Sequence, residues 1–503
     1  MGLLIFILGT IGAMIGLYGM FRKAGVEPWK ALIPYYNTWV MTDLMQTKKV
    51  WFYLQFIPVV GQFITIALAI DFVKHFGRFS LIDHALLVFV PFIYLPYVGF
   101  SKDIRFIGYE KVKLYKKSVA REWIDAAVFA VVAATIIRTF VFEAYTIPTP
   151  SMERTLLVND FLFVSKFSYG PRIPKTPLSF PFVHNVMPVT GGKSYLEWVK
   201  WPYMRVFASP VKRRDVVVFN FPVGDTVIDR PEFGSQITYY QACRDPRLGR
   251  QAILNDPDSY PLIIRPVDKQ ENFIKRCTGV AGDTLSVVHG QVYIDGKAQD
   301  FPPESEMMYV VTTNGTSLST DFILDTLHID RDVDSNGNYQ ADTNPNLAKI
   351  NLTPSMVQSV KNHPGVVSVV LDEQSGAYSD VFPYDTLDYP WNRDNYGPIW
   401  IPAKGATLTL TKANINIYRR SIEVYEGNTL EEKGGQFIIN GKPATTYTFK
   451  MNYYWMMGDN RHNSLDSRYW GFVPEDHVVG RASMIWMSYS TGIRWSRMMR
   501  MIH

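Results

Sequence analysis

Residues 147–166 read IPTPSMERTLLVNDFLFVSK and directly follow the last apolar stretch of the chain. The segment carries one serine behind a proline, Ser151, and leads into the β-prone run Phe161–Phe167. From here to the C-terminus, short runs of alternating or continuous β character are separated by turn residues. We therefore predict a fold of N-terminal transmembrane helices followed by a mainly β domain.

The β runs after Phe142 bracket a region of different character. They are Phe161–Phe167, Asp215–Phe221, Thr284–Ile294, Gln436–Ile439 and Ser483–Ser488. Asp295-Gly296 and Asn440-Gly441 each follow a strand-like run, which predicts two tight hairpin turns. Residues 298–435 are instead rich in Asn, Asp and Thr, with one helical stretch near Pro354–Asn362. This pattern predicts a large insertion inside an antiparallel β domain.

The composition argues against several classes of protein. Hydrophobic residues make up 47% of the 503 residues, and the formal net charge is only +5. The part after Phe142 has no basic run interleaved with aromatic residues, so we predict no nucleic-acid partner. The two cysteines, Cys243 and Cys277, are too few for a disulfide framework, and the sequence leaves their pairing open.

Four apolar stretches precede the β region, near residues 3–21, 51–72, 81–100 and 122–142. Each approaches the roughly 20 residues that a spanning helix needs. Leu3–Phe21 has neither a basic segment before it nor an A-x-A cleavage site after it, so we predict a retained helix. The two middle stretches contain prolines, and they could instead form a re-entrant or interfacial hairpin.

Basic residues predict the orientation of these stretches. Lys and Arg are concentrated in residues 22–50 and 101–121, which should therefore be cytoplasmic. Four spans then place the N-terminus outside, together with everything after Phe142.

A serine nucleophile needs a general base. The motif G-x-S-x-G is absent, and no histidine lies near a nucleophile elbow, so we interpret His462 and His477 as surface or core residues. Lys275, in NFIKRCTGVAGD (272–283), follows two apolar residues. Burial disfavours the charged form of lysine, and neutral lysine can accept a proton. A single lysine is weak evidence, however, because most lysines are solvated.

Four sequence blocks together resemble the type I signal peptidases, the bacterial leader peptidases. They are residues 147–166, RRDVVVF at 213–219, the pairs Lys275-Arg276 and Gly282-Asp283, and GDNRHNSLDSRYWGFVP at 458–474. The blocks occur in the family's order, although Pro150 and His462 depart from its usual residues. One rival is another Ser/Lys protease, such as a self-cleaving repressor, but four spans argue against it. The other is a non-catalytic membrane scaffold, and the intact Ser151 and Lys275 argue against that.

The resemblance implies a Ser/Lys dyad in which Ser151 attacks and Lys275 acts as the base. The Thr149 hydroxyl and the Ser151 N–H would form the oxyanion hole, and Ser464 would aim Lys275. Asp466 and Arg468 would pair, supported by Asp459 and Asn460, although Asp459, Asn460 and Arg468 could instead form a plain turn. The implied substrate pocket comprises Ile147, Pro148, Met152, Leu156, Phe273 and Ile274. No metal or cofactor is expected, and the calcium-loop-like Asp332–Gly337 is interpreted as a polar loop.

The apolar and β patterns predict the organisation of the chain, and the resemblance predicts its partners. The predicted divisions are a membrane module (1–121), a fourth anchor (122–142), a catalytic β domain (143–297 and 436–503) and an inserted domain (298–435). The substrates would be preproteins with A-x-A-type cleavage sites. The protein would be multi-pass in the bacterial inner membrane, with its catalytic domain periplasmic. Residues 23–37 resemble a small membrane module of unknown role, so binding to lipid or to the secretion channel is left open.

Overall fold

The computed structural model describes residues 2–57, 60–230, 232–233, 237–315, 318–319, 321–329 and 347–502. The chain divides into two compact units. The first contains Met1–Val141 and Ile173–Val206, and the second contains Phe142–Arg172 and Phe207–His503. The predicted domain boundaries did not separate 173–206 from the β domain.

The first unit is helical before Val141. Its helices are α1 (Gly2–Lys23), α2 (Tyr36–Leu44), α3 (Val50–Leu54), α4 (Val60–Lys74), α5 (Leu81–Phe89), α6 (Pro91–Phe100), α7 (Gly108–Lys113) and α8 (Val119–Phe140). Ser118 caps α8, because its side chain accepts a hydrogen bond from the N–H of Arg121. Within the described residues, α8 is the one helix that is both long and apolar enough to cross a membrane.

The predicted four-span organisation is not confirmed. The stretch 51–72 divides into α3 and α4, and the stretch 81–100 divides into α5 and α6. Pro91 prevents the second stretch from forming one continuous helix. A proline restricts the backbone of the residue before it, and Val90 accordingly adopts a non-helical φ of −136°. The proline in the first stretch, Pro58, lies outside the described residues. Leu3–Phe21 coincides with α1, but the side chains of residues 3–8 lie outside the described part of the chain.

Helices α1 and α6 approach each other closely because glycines line their contact. A Cβ at Gly16 would lie 2.5 Å from Cβ of Leu95, and a Cβ at Gly19 would lie 2.8 Å from the carbonyl oxygen of Gly99. Small residues that let helix backbones meet are typical of packing within membranes.

The second unit is mostly β. Its strands are β1 (Phe142–Thr146), β2 (Asp160–Ser165), β3 (Val216–Asn220), β4 (Thr226–Ile228), β5 (Leu262–Ile264), β6 (Asn272–Gly279), β7 (Thr284–Val288), β8 (Gln291–Ile294), β9 (Lys297–Ala298), β10 (Met307–Thr313), β11 (Leu347–Leu352), β12 (Val366–Leu371), β13 (Tyr396–Trp400), β14 (Thr407–Thr409), β15 (Leu430–Lys433), β16 (Gln436–Ile439), β17 (Lys442–Ala444), β18 (Thr446–Thr448), β19 (Tyr453–Met457), β20 (Val473–Pro474), β21 (Val478–Ser488) and β22 (Arg500–Met501). Its helices are α9 (Tyr239–Arg244), α10 (Gly249–Asn255), α11 (Pro354–Lys361), α12 (Lys412–Arg420) and α13 (Ser467–Trp470).

The main sheet holds the elements that build the candidate site. Its strand order is β1-β2-β21-β3-β6-β19-β20, and β22 pairs with β21. The predicted mainly β domain is thus confirmed. The run Thr284–Ile294, predicted as one β run, is a hairpin of β7 and β8, because His289 and Gly290 both turn with positive φ, 49° and 76°.

Both predicted hairpin turns are present. Asp295 and Gly296 have φ values of 51° and 75° between β8 and β9, and Asn440 and Gly441 have 51° and 77° between β16 and β17. Two consecutive positive φ values match the right-handed twist of the flanking strands, which is why Asp-Gly and Asn-Gly occur here.

The range 298–435, predicted as one inserted domain, divides in the structure. Strands β10, β11 and β12 form a separate three-stranded sheet, and the predicted helix is α11. Strand β13, however, pairs with β7, and Tyr396 and Ile399 share one buried apolar cluster with Leu285 and Phe472. The C-terminal part of this range therefore belongs to the core of the β domain, which its loop-rich composition did not reveal.

Candidate active site

Ser151 lies in the connection between β1 and β2. Backbone hydrogen bonds close the base of this connection, from Ile147 N to Asp160 O (3.0 Å) and from Asn159 N to Ile147 O (2.9 Å). Ser151 itself is the central residue of a short 3-10 turn, Pro150–Met152, and its side chain is buried. The proline fits the first position of this turn, where an N–H would have no partner.

Strand β6 brings Lys275 to this serine. The Lys275 Nζ lies 2.7 Å from the Ser151 Oγ and 2.8 Å from the carbonyl oxygen of Ile274. Only 3% of Lys275 is exposed. The Phe273 ring centroid lies 5.5 Å from the same ammonium group. The two residues that the sequence proposed as a dyad, 124 positions apart, are therefore in direct contact.

The loop after β19 holds the serine turn in place. The Asn460 N–H donates to the Ser151 carbonyl oxygen (3.2 Å), and the Asn460 Nδ2 donates to the Pro150 carbonyl oxygen (3.2 Å). A Cβ at Gly458 would lie 2.5 Å from the Ser151 carbonyl oxygen and would collide with the Ser464 hydroxyl. Only glycine therefore allows this close approach.

Two buried ion pairs support this loop. Asp466 and Arg468 form the predicted pair, with Nε–Oδ1 at 2.9 Å and Nη2–Oδ2 at 2.8 Å, and Asp466 Oδ2 also accepts from Gly458 N at 3.1 Å. Asp459 pairs in the same two-pronged way with Arg276, the residue after the lysine, at 2.8 and 2.7 Å. Such pairs fix geometry as well as charge.

Comparison with known proteins assigns the chain to a family. Residues 120–339 and 405–487, more than half of the chain, match the family described as "Signal peptidase, peptidase S26". The chain belongs to the signal peptidase family. Removal of signal peptides by a serine peptidase is the activity of this family, as the resemblance predicted.

Curated relatives agree with this assignment. The chain is 24% identical to "Signal peptidase I" of Buchnera aphidicola subsp. Baizongia pistaciae over 77% of this chain and 86% of the relative. It is 24% identical to "Signal peptidase I" of Haemophilus influenzae over 77% of each chain. Residues 29–109 match a family of unknown function, DUF5684, so the likeness there gives no role to the N-terminal helices of this signal peptidase.

Burial favours the neutral form of Lys275. Desolvation lowers the pKa of Lys275 to about 8, against the opposing field of Asp466 and Asp459. Removing the ammonium from water disfavours its charged form, and this effect exceeds the attraction of the two carboxylates. About a tenth of the molecules then carry a neutral lysine at pH 7, against about 0.03% for an unperturbed lysine.

The predicted contact between Ser464 and Lys275 is not formed. Within the described residues, the Lys275 Nζ donates to Ser151 and Ile274 alone. Ser464 is buried, and its hydroxyl lies against Gly458.

The predicted pocket residues separate into four groups. Met152 and Leu156 are fully buried, so they have no surface for a substrate and instead form core beside the site. Ile147 and Ile274 belong to the same apolar cluster, with Ile274 partly exposed. Phe273 belongs to a different cluster, where it stacks on Phe221 with ring centroids 4.6 Å apart. Pro148 is exposed.

The two histidines considered in the sequence are core residues. The His462 Nε2 lies 2.8 Å from Asp394 Oδ1, and the His477 Nδ1 lies 2.7 Å from Asp476 Oδ1. Neither contacts Ser151. Cys243 and Cys277 are both free thiols, and burial raises the pKa of Cys277.

Three residues near the site were not predicted. Arg276 was quoted in its block but given no role. Thr155 donates its hydroxyl to Asp459 Oδ2 at 2.6 Å. Asp160, fully buried, pairs with Arg497 and accepts from Leu157 N at 2.8 Å, which fixes the end of the serine connection. The aspartates already stood in the family's blocks, but only the fold reveals their distant partners.

Proposed function

We propose that Ser151 is the nucleophile and Lys275 the general base of this signal peptidase. The observation that carries the proposal is the 2.7 Å separation of Oγ and Nζ in a buried site. Neutral Lys275 takes the hydroxyl proton as Oγ attacks the scissile carbonyl carbon. The same proton passes to the leaving amine, which leaves an acyl-enzyme ester on Ser151. Lys275 then deprotonates the water that hydrolyses this ester.

The oxyanion of the tetrahedral intermediate would be stabilised at the start of the 3-10 turn. Backbone N–H groups in the first turn of a helix have no partner within the helix, and the Ser151 N–H is one of these. The exposed Thr149 lies two residues earlier and supplies a second candidate donor, its hydroxyl. Donors of this kind aimed at the developing charge stabilise the transition state.

The substrate would dock as an extended strand beside β6. Strand β19 pairs with β6 only at Arg276, Cys277 and Gly279, whereas β3 pairs along Asn272–Arg276. Within the described residues, the first half of β6 thus has a strand neighbour on one side only, beside Lys275. A peptide can add to such an edge through backbone hydrogen bonds. The exposed Pro148 and the partly exposed Ile274 would then restrict the substrate to small residues, as in an A-x-A-type site.

Replacement of the dyad tests the mechanism. We expect Ser151→Ala and Lys275→Ala each to abolish cleavage of a preprotein in detergent solution. The matched controls Ser490→Ala and Lys404→Ala, at exposed positions, should cleave it as the wild type does. The double variant should be no worse than either single variant, because the two groups act as one unit. Mass spectrometry of the product gives the cleavage point. Substantial cleavage by either single variant would remove these assignments.

We also propose that the second unit is extracytoplasmic, in a bacterial inner membrane. Basic residues at 101–121 directly precede α8, which favours a cytoplasmic start for this helix. A periplasm-dependent reporter should be active when fused after Phe142 and silent when fused after Tyr109. The reverse pattern would place the site in the cytoplasm. Crosslinking in intact cells tests whether the N-terminal helices contact the secretion channel.

A further inference from the structure

A cavity of about 320 Å³ in the second unit is lined by four arginines. They are Arg213, Arg214, Arg276 and Arg461, accompanied by Phe301 and Gln299. The cavity is large enough for a small ligand. The only acidic residue among its lining residues in the described part of the chain is Asp300.

Three of the arginines have carboxylate partners. Arg213 pairs with Asp283 at 2.6 Å, and Arg276 pairs with Asp459 at 2.7 Å. Arg214 reaches Asp300 at 3.3 Å, but both side chains are mostly exposed, at 59% and 93%, so this pair is weak. The positive charge of the cavity is therefore only partly neutralised by the protein.

Arg461 is the exception. It is 95% buried, since only 5% of its surface is exposed, yet its Nε and Nη1 have no hydrogen-bond partner within the described residues. The Phe301 ring face lies 5.3 Å from the guanidinium carbon, and the carboxylates of Asp459 and Asp466 favour the charged form without hydrogen-bonding to Nε or Nη1. Burial and the nearby Arg468 lower the pKa of Arg461 to about 10. An unpaired buried guanidinium costs several kcal/mol, which a bound anion would offset.

We propose that this cavity binds a phosphate-type oxyanion, held by the side chains of Arg461 and Arg214. A guanidinium offers two parallel N–H donors that match two oxygens of such a group. The phosphate can come from solution or from a phospholipid headgroup, since both present the same oxygens. Gln299 and Phe301 also line this cavity, and Ser151 is not among its lining residues.

The test measures the thermal midpoint of the detergent-solubilised full chain against inorganic phosphate, with chloride used to hold the ionic strength constant. A ligand that binds the native state raises the midpoint as its concentration rises. We expect the apparent Kd for phosphate to rise about tenfold or more in Arg461→Met, because a charge-assisted hydrogen bond is lost. Arg214→Gln should weaken binding less, and the exposed Arg247→Gln, outside the cavity, should leave it unchanged.

Vesicles separate the two sources of phosphate. If the lipid headgroup is the ligand, it should occupy the cavity in phosphatidylglycerol vesicles, and added phosphate should no longer raise the thermal midpoint of the reconstituted wild type. If free phosphate is the ligand, added phosphate should still raise the midpoint in these vesicles. Either result supports the site. The proposal is overturned if the wild type shows no phosphate response in phospholipid-free detergent. It is also overturned if Arg214→Gln, which should fold even where Arg461→Met does not, keeps the full wild-type response.

Discussion

Replacing Lys275 with methionine should abolish activity and stabilise the protein. Lys275 is 3% exposed, and burial lowers its pKa from 10.5 to about 8. Between these values the unfolded chain binds a proton that the native state does not. Stability therefore falls as the pH drops from about 10.5 to about 8, and stays lower below that. The shift of about 2.5 pKa units corresponds to about 3 kcal/mol at pH 7.

Methionine has an unbranched side chain only one atom shorter than that of lysine and carries no charge, so it removes this cost. The substitution also removes the hydrogen bonds to the Ser151 Oγ and the Ile274 carbonyl oxygen, which offset part of the gain. We expect a net stabilisation of about 1–2 kcal/mol at pH 7. The advantage should shrink as the pH rises from about 8 and disappear above about 10.5, where lysine is neutral in both states.

Thermal unfolding of the detergent-solubilised full chain, followed by tryptophan fluorescence, measures this difference. Lys404→Met, at an exposed position, is the matched control and should leave the midpoint unchanged. A Lys275→Met variant that unfolds at or below the wild-type temperature at pH 7 would refute the reasoning, because the lysine would then carry no burial cost.

Three further substitutions test the supports of the site. Gly458→Ala should lower kcat/KM more than about 100-fold, because its Cβ would lie 2.5 Å from the Ser151 carbonyl oxygen and displace the serine turn. A loss of this size is typical when a reacting group is misplaced. Its control is Gly492→Ala, whose Cβ would lie in open space and should leave kcat/KM unchanged. Asp459→Asn should destabilise the chain by about 3–5 kcal/mol in chemical denaturation, since it leaves Arg276 buried without a full charge partner. The exposed Glu431→Gln is its control, and equal effects would show that the buried pair contributes little. Asn460→Ala should reduce kcat with little change in unfolding midpoint, and an unchanged kcat would mean that the serine turn needs no support from this loop.

The sequence predicted which two residues meet at the candidate site better than it predicted their surroundings. Ser151 and Lys275 stand in short blocks whose residue types are constrained by the reaction, so they could be recognised without a structure. The Asp-Gly and Asn-Gly turns were likewise predictable, because positive φ is a local requirement. Met152 and Leu156 were assigned to a pocket, but their burial depends on packing against distant strands.

Long-range contacts explain most of what the sequence missed. Arg276 and Asp459 lie 183 positions apart, and nothing local to either residue identifies the other as its partner. The pairing of β13 with β7 hides a core strand within a loop-rich segment. In the N-terminal unit, the apolar composition indicated long spans, but Pro91 divides the stretch 81–100 into α5 and α6. The close packing of the glycines of α1 against α6 is a second long-range contact that the composition did not reveal.

The pH dependence of kcat/KM on a soluble peptide that ends its signal sequence in Ala-x-Ala tests the dyad most directly. Activity requires neutral Lys275, so kcat/KM should rise with pH through a single limb near its pKa of about 8. Lys275→Arg should be inactive at every pH, because a guanidinium is not deprotonated in proteins. The account would be contradicted if Lys275→Arg stayed active while a limb near about 6.5 disappeared on replacing His462 or His477.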